Sequence, residues 1–493
     1  METFSLPITL SPLMAQSDKK RLAVLRDQLL SAQAQLVRER SFALAVVVTG
    51  MPTAGRSETV NQFLEWLDPK HIAVHALDKL RVRAQLRPPM WRYWLTLPAR
   101  GEIAFYFTGW YEDVLVPALH TPKKAKRHEA RMFARIKQFE AMLTNEQVCI
   151  VKFDMRIDKR TQKERLAALR ANKLTRWRVT REDRWFAKHY TRLSKAMDRI
   201  VKATSTPAAT WHPVDGADPQ QRSLKVGALM LKELTSGAKT RAAASASLTA
   251  RSAAKRRQPL PSEPPLEVTD EAYERELELL QGRLALLTRK RSFLERGLVL
   301  AFEGMDAAGK GGAIRHVTAA LDARQYAVVP VSAPNEQELA YPYLWRFWRR
   351  LPERGEITIF DRSWYGRVLV ERAREFTPES TWRRAYDEIN EFELQLTEAN
   401  FIVQKLWLSV GKDAQLQRFK AREADPLKRY KVDEEDWENR RCYDAYQAAA
   451  AEMIERTSTE EAPWAVVEAD DKKYARLKVL RAVRERIELA IKS

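Results

Sequence analysis

The stretch WRYWLTLPARGEI, beginning at Trp91, returns as WRFWRRLPERGEI from Trp345, 254 positions later. The same spacing relates Gly50 to Gly304, Gly55 to Gly309 and Arg56 to Lys310. Further on it becomes 253, linking Lys152 to Lys405, Arg165 to Arg418, Val179 to Val432 and Trp211 to Trp464. Upstream, RERSF at 38–42 answers RKRSF at 289–293 at a spacing of 251. Chance supplies one such match, but not an ordered series over roughly 200 residues; the series marks a tandem duplication.

A chain of 493 residues is too long for one core and suits two domains. We place the first at 18–235, a linker at 236–268 and the second at 269–493. The linker is rich in Ala, Ser, Arg and Pro and carries the basic cluster Lys255, Arg256, Arg257, which reads as a solvated connection. Each repeat opens with a charged amphipathic helix, at 18–40 and 270–291. A β-branched run follows, at 43–50 and 298–304, then a glycine-bearing loop and a helix. Two further buried strands are expected at 102–107 and 148–155, and at 356–361 and 401–410. Strands alternating with helices predict an α/β fold with a parallel sheet flanked by helices, built twice.

The formal net charge is +20, so a polyanion is the expected partner: nucleic acid, an anionic membrane or a phosphate-rich substrate. No zinc-finger spacing, RNA-recognition aromatic motif or helix-turn-helix pattern supports nucleic acid as the primary partner. No uncharged apolar run approaches the ~20 residues that cross a bilayer. Cys149 and Cys442 fall in different repeats without metal-ligand spacing, and the N-terminus is a poor signal peptide, so a reducing cytoplasm is the expected setting.

The chemistry concentrates in the second repeat. Gly304-Met305-Asp306-Ala307-Ala308-Gly309-Lys310 lies between an expected strand and an expected helix, the context of a P-loop. Glycines let backbone amides turn inward around phosphate oxygens, and the helix N-terminus adds partial positive charge. Gly304, Ala307, Ala308, Gly309 and Gly311 are therefore expected to border phosphate, with Lys310 as the full positive charge. An ordinary P-loop ends in Lys followed by Ser or Thr, whose hydroxyl meets Mg²⁺. Here Gly311 and Gly312 follow, so the metal needs other oxygens. Asp306, inside the loop, and Asp361, ending the strand EITIFD in the Walker-B position, are the candidate pair. The competing assignment makes Asp306 a turn residue and Asp361 a helix cap. Arg362 and Arg367 follow at the strand end, where ligands of open α/β sheets bind. Arg367 and Glu371, four apart, are either part of that site or an ion pair on one helix. A basic segment at 418–437, with Arg418, Lys420, Arg422, Lys428, Arg429 and Lys431 around the turn Asp425-Pro426, reads as a lid over phosphates.

GMDAAGKGG (304–312), FDRSWYGR (360–367) with VER (370–372), and DPLKRYK (425–431) together resemble the polyphosphate kinase 2 family, over roughly 270–490. The tandem arrangement resembles that family's two-domain branch. The resemblance implies a thymidylate-kinase-like P-loop fold with a helical lid. It implies transfer of the terminal phosphoryl group of inorganic polyphosphate to a nucleoside monophosphate, AMP, giving ADP, with Mg²⁺ as cofactor. An ATP-dependent nucleotide or small-molecule kinase, and a non-catalytic polyanion-binding P-loop protein, remain alternatives, and oligomerisation stays open.

The first repeat looks disarmed. Its loop reads Gly50-Met51-Pro52-Thr53-Ala54-Gly55-Arg56, with Pro52 in place of Asp306 and Arg56 in place of Lys310. Asp361 maps to Phe107, Arg362 to Thr108 and Arg367 to Asp113. Trp91, Trp94, Trp110 and Tyr111 are retained as candidate core residues.

Overall fold

In a computed structural model, residues 16–76, 86–236, 268–432 and 434–492 are described. The expected linker, with its Lys255–Arg257 cluster, lies outside them apart from its end residues 236 and 268. The chain divides into two compact units, Met1–Lys79 with Thr96–Ser247 and Glu336–Tyr343, and Leu80–Leu95 with Leu248–Asn335 and Leu344–Ser493.

The first unit is built on five parallel strands: β1 (Ala43–Gly50), β2 (Ile72–His75), β3 (Ile103–Phe107), β4 (Val148–Arg156) and β5 (Trp211–Asp215). Their order is β2-β3-β1-β4-β5. β1 is buried along its whole length, as a central parallel strand covered on both faces must be. The helices Gln16–Glu39 and Pro219–Ser236 pack on each other beside the sheet. Trp110 and Tyr111 are fully buried in this unit.

The second unit repeats the plan with β6 (Gly297–Gly304), β7 (Tyr326–Pro330), β8 (Ile357–Asp361), β9 (Phe401–Ser409) and β10 (Trp464–Glu468), in the order β10-β9-β6-β8-β7. Leu277, Leu280, Leu284 and Leu287 recur at helical spacing along Asp270–Leu287 and face Leu480, Val483 and Ile487 of Lys472–Lys492. This unit also buries Trp94, which stacks on Trp348 with ring centroids 5.7 Å apart.

The duplication extends to register and backbone. Val48 pairs with Phe107 as Phe302 pairs with Asp361, both at the 254 spacing. Ala43 pairs with Val148 as Gly297 pairs with Phe401, so the change to 253 falls between the third and fourth strands. Positive φ recurs at Thr53 (63°) and Ala307 (61°), and at Thr108 (62°) and Arg362 (63°). Non-glycine residues rarely adopt such angles, so their return at matching positions shows that both units impose the same turns.

Two expectations need correction. The second opening helix ends at Leu287 rather than 291. The Thr288 hydroxyl bonds back to the carbonyls of Leu284 and Ala285, and the chain turns before a short helix at Arg291–Leu294. The strands β2, β5, β7 and β10 were absent from the expected elements; β2 and β7 are half-exposed edges without a continuous apolar run.

Candidate active site

The loop after β6 is shaped by two requirements. Gly304 has φ 145°, and a Cβ there would overlap the carbonyl of Leu408 on the neighbouring strand, so only glycine fits. Gly309, at φ 102°, precedes the helix Lys310–Thr318 without a side-chain cap. A Cβ at Gly309 or Gly311 would meet nothing within 4 Å. The loop therefore faces open space, with the uncapped amides of the helix start directed to it.

Its carbonyls are tied back from the other side. Arg418 donates to Ala307 O at 2.8 Å, Ala469 O at 2.5 Å and Asp470 O at 3.0 Å. Gln415 Nε2 donates to Asp306 O at 3.0 Å. Arg418 is thus a tether of the loop and not one of the lid cations, which corrects the expectation from the basic segment. Its counterpart Arg165 does the same in the first unit, to Thr53, Gly216 and Ala217, and Gln162 there reaches Pro52 O. Arg418→Ala is expected to cost about 1–3 kcal/mol, because a charged donor leaves three carbonyls at once. Thermal melts check this, and an unchanged melting temperature would mean that the loop holds its own shape.

Charged side chains meet at the loop. Asp306 accepts from Arg362 Nη2 on Oδ1 and from Asn439 Nδ2 on Oδ2, each at 2.8 Å. Burial alone would push its carboxyl up, but Lys310, Arg362 and Asn439 outweigh this and hold it below the usual range. Lys310 Nζ donates to Gly304 O at 2.7 Å and Met305 O at 3.1 Å. Burial lowers its ammonium, while Asp306, Asp361 and Glu303 pull it up. Asp361 ends β8, and its carboxylate has no hydrogen-bond or ion-pair partner among the described residues. Arg362 sits on the left-handed turn just after it, with its amide on Phe302 O at 3.0 Å.

Two contributors were not foreseen. Glu303, 2% exposed, accepts from the Ser363 hydroxyl at 2.7 Å, and burial raises its carboxyl. Asn439, on the helix Glu434–Arg441, links the segment following the basic turn to Asp306. A comparison of the repeats carries the signal for both. Glu303 maps to Thr49 and Asn439 to Phe186, so each is found only where the loop carries Asp306.

Loop, Lys310, Asp306, Asp361 and Arg362 thus come together. Other candidates do not join them directly. Arg367 and Glu371 pair with each other at 2.9 Å, and Glu371 also accepts from Thr377. Lys428 pairs with Asp425 at 2.5 Å, beside the exposed Leu427, Arg429 and Tyr430. The side chain of Lys431 lies outside the described residues.

The family model for polyphosphate kinase 2 (PPK2) matches twice, at residues 13–242 and 267–493. The chain belongs to the polyphosphate kinase 2 family. Two polyphosphate:AMP phosphotransferases, from Pseudomonas syringae pv. tomato and Pseudomonas aeruginosa, are 44% and 43% identical to it, covering 95% and 96% of both chains. A third of that name, from Acinetobacter johnsonii, is 36% identical over 92% of this chain and 94% of its own. A Pseudomonas aeruginosa crystal structure ascribed to polyphosphate kinase 2 superposes with a TM-score of 0.83 at 41% identity, covering 97% of each chain. The α/β fold shared with that structure is two parallel sheets flanked by helices, one sheet in each unit here.

Proposed function

We propose that this chain moves the terminal phosphoryl group of inorganic polyphosphate to AMP, giving ADP, at the loop of its second repeat. The observation that carries the reading is the meeting of Lys310, Asp306 and Asp361 at an open amide loop, in a chain whose full-length relatives bear that activity in their names. A phosphate oxygen of AMP attacks the terminal phosphorus, and the bridging P–O bond breaks. The chain, one unit shorter, leaves with the bonding pair. Such transfer needs positioning and charge neutralisation rather than covalent help.

Loop amides at Gly304, Ala307, Ala308, Gly309 and Gly311 hold phosphate oxygens, with Lys310 exchanging its two carbonyl partners for them. Arg362 turns from Asp306 to the transferring group, and Arg367, Glu371, Lys428, Arg429 and Lys431 border the substrates. The residues suit Mg²⁺ and would hold it: Asp361 is an uncommitted carboxylate, and Asp306 is a second, bonded to Arg362, the residue that follows Asp361. Among the described residues no cluster of three or more His, Cys, Asp or Glu forms a metal cage, and Mg²⁺ commonly takes one or two carboxylates with substrate phosphates. Bound there, Mg²⁺ would neutralise phosphate charge. The first repeat, with Pro52 and Phe107 in place of both carboxylates, does not catalyse. The reading includes a cytoplasmic setting, which Cys149 and Cys442, neither of them in a disulfide, suit. Among the described residues no helix is long and apolar enough to cross a membrane.

The test is ADP formation from AMP, magnesium and polyphosphate with no ATP present. ADP should appear and should vanish in Lys310→Ala. ADP formed only when ATP replaces polyphosphate would instead make the chain an ATP-dependent kinase.

A further inference from the structure

The first repeat keeps the loop but sets beside it two arginines that have no side-chain hydrogen bond or ion pair among the described residues. Gly50, Thr53 and Gly55 hold φ of 131°, 63° and 96°, against 145°, 61° and 102° at Gly304, Ala307 and Gly309. Arg165 and Gln162 bind the loop carbonyls as Arg418 and Gln415 do. The loop amides are therefore left to face the same way, at the uncapped start of the eleven-residue helix Arg56–Trp66.

Over this loop stands Arg222, from the helix Pro219–Ser236. A Cβ at Gly55 would overlap its guanidinium and lie 2.9 Å from Nε. Arg222 is 6% exposed, and its enclosed Nε has no partner. Among the described residues the whole side chain makes no hydrogen bond or ion pair. Glu58 and Asp218 are near enough to favour its charge, but neither bonds to it, and Arg165 opposes it. The second repeat has Ala475 at the matching position, and nothing stands over Gly309. Arg56 is a second guanidinium without a hydrogen bond or ion pair among the described residues, with Asp183, Glu182 and Glu58 in its surroundings.

A buried cation facing the amide donors of a helix start is a costly arrangement while no acceptor bonds to it, and Glu58 and Asp218 do not. One oxyanion satisfies cation and amides together. We infer that the first repeat's loop is a phosphate-binding site, held by its amides with Arg56 and Arg222 and independent of any metal. With no acid at Pro52 or Phe107 the site holds phosphate without reacting it. The ligand chemistry is a phosphoryl group, from a polyphosphate chain or from a nucleotide.

The full chain carrying Lys310→Ala, which weakens the second loop, is titrated by calorimetry in excess EDTA at physiological salt. Tripolyphosphate, long-chain polyphosphate and AMP are the separate probes. Tripolyphosphate should still bind and raise the melting temperature; preference for the long chain or for AMP assigns the source. Adding Arg222→Gln should weaken binding at least ~tenfold, as loss of a charge-assisted contact does, while Arg222→Lys should retain most of it. If Arg222→Gln does not fold, Arg56→Gln in the same background gives the second reading, and its loss of affinity should be of similar size. No metal-free binding in Lys310→Ala, or binding unchanged by both substitutions, would overturn the site. Binding that strengthens in Arg222→Gln would make the arginine a plug that closes a dead loop, and would overturn it equally.

Discussion

Asp361→Asn is expected to cut kcat/KM for polyphosphate-dependent ADP formation by about a thousandfold or more, with the melting temperature within ~2 °C of the parent. The two halves of this expectation come from one observation. The carboxylate at the end of β8 has no hydrogen-bond or ion-pair partner among the described residues, so the isosteric amide orphans nothing and the strand pairing to Phe302 is untouched. Its charge nevertheless bears on the Lys310 ammonium at the loop, where the proposed reaction needs phosphate charge neutralised. A thousandfold is about 4 kcal/mol of transition-state stabilisation, the scale of losing a metal ligand or its equivalent charge. Asp306→Asn is a poorer probe, because it also breaks the link to Arg362 and disturbs the loop. Steady-state kinetics with AMP and polyphosphate decide the matter. Activity within tenfold of the parent would remove Asp361 from the chemistry and leave the loop lysine to act alone.

Much of this was open to reading because the chain says the same thing twice. The central strands β1 and β6 show as continuous β-branched runs, since both faces are buried. The loop showed through glycines that no other residue can replace, as at Gly304 against Leu408. Sequence reading failed where function depends on contacts distant along the chain. Arg418 reaches Ala307 across 111 residues and Asn439 reaches Asp306 across 133, and no local periodicity encodes such a pairing. Arg418 therefore looked like any other base of a charged segment. Its retention as Arg165 was the clue that it serves the fold, since a loop without Asp306 still has its carbonyl tied back. The reverse comparison, Glu303 against Thr49 and Asn439 against Phe186, separates residues found only beside Asp306 from those that shape both loops.

The same logic predicts the largest stability effect. Lys405→Met is expected to cost about 3–5 kcal/mol, lowering the melting temperature of the second unit by roughly 10 °C. Lys405 is 0% exposed on β9 and donates to Glu393 Oε2 at 2.7 Å, Thr457 O at 2.5 Å and the Tyr365 hydroxyl at 3.1 Å. Glu393 Oε1 accepts from Trp364 Nε1 at 3.0 Å and Tyr365 OH at 2.7 Å. Burial presses the ammonium toward neutrality and the carboxylate opposes it, so each ion is tolerable only through the other. Methionine fills the space but strands the acid. Glu393→Gln in the Lys405→Met background should recover most of the loss, since a neutral amide oxygen still accepts from Trp364 and Tyr365. The first unit holds the same network in Lys152, Glu140, Trp110, Tyr111 and Thr204. Lys152→Met should therefore cost a similar amount. The consequences for activity should differ. Trp364 and Tyr365 directly follow Ser363, which holds Glu303 beside the loop, so loosening the second network should also reduce turnover below the melting range. Loosening the first should leave turnover at low temperature close to the parent's. Differential scanning calorimetry with parallel assays separates the two, and equal losses of turnover in both variants would mean that the first repeat shares in the chemistry.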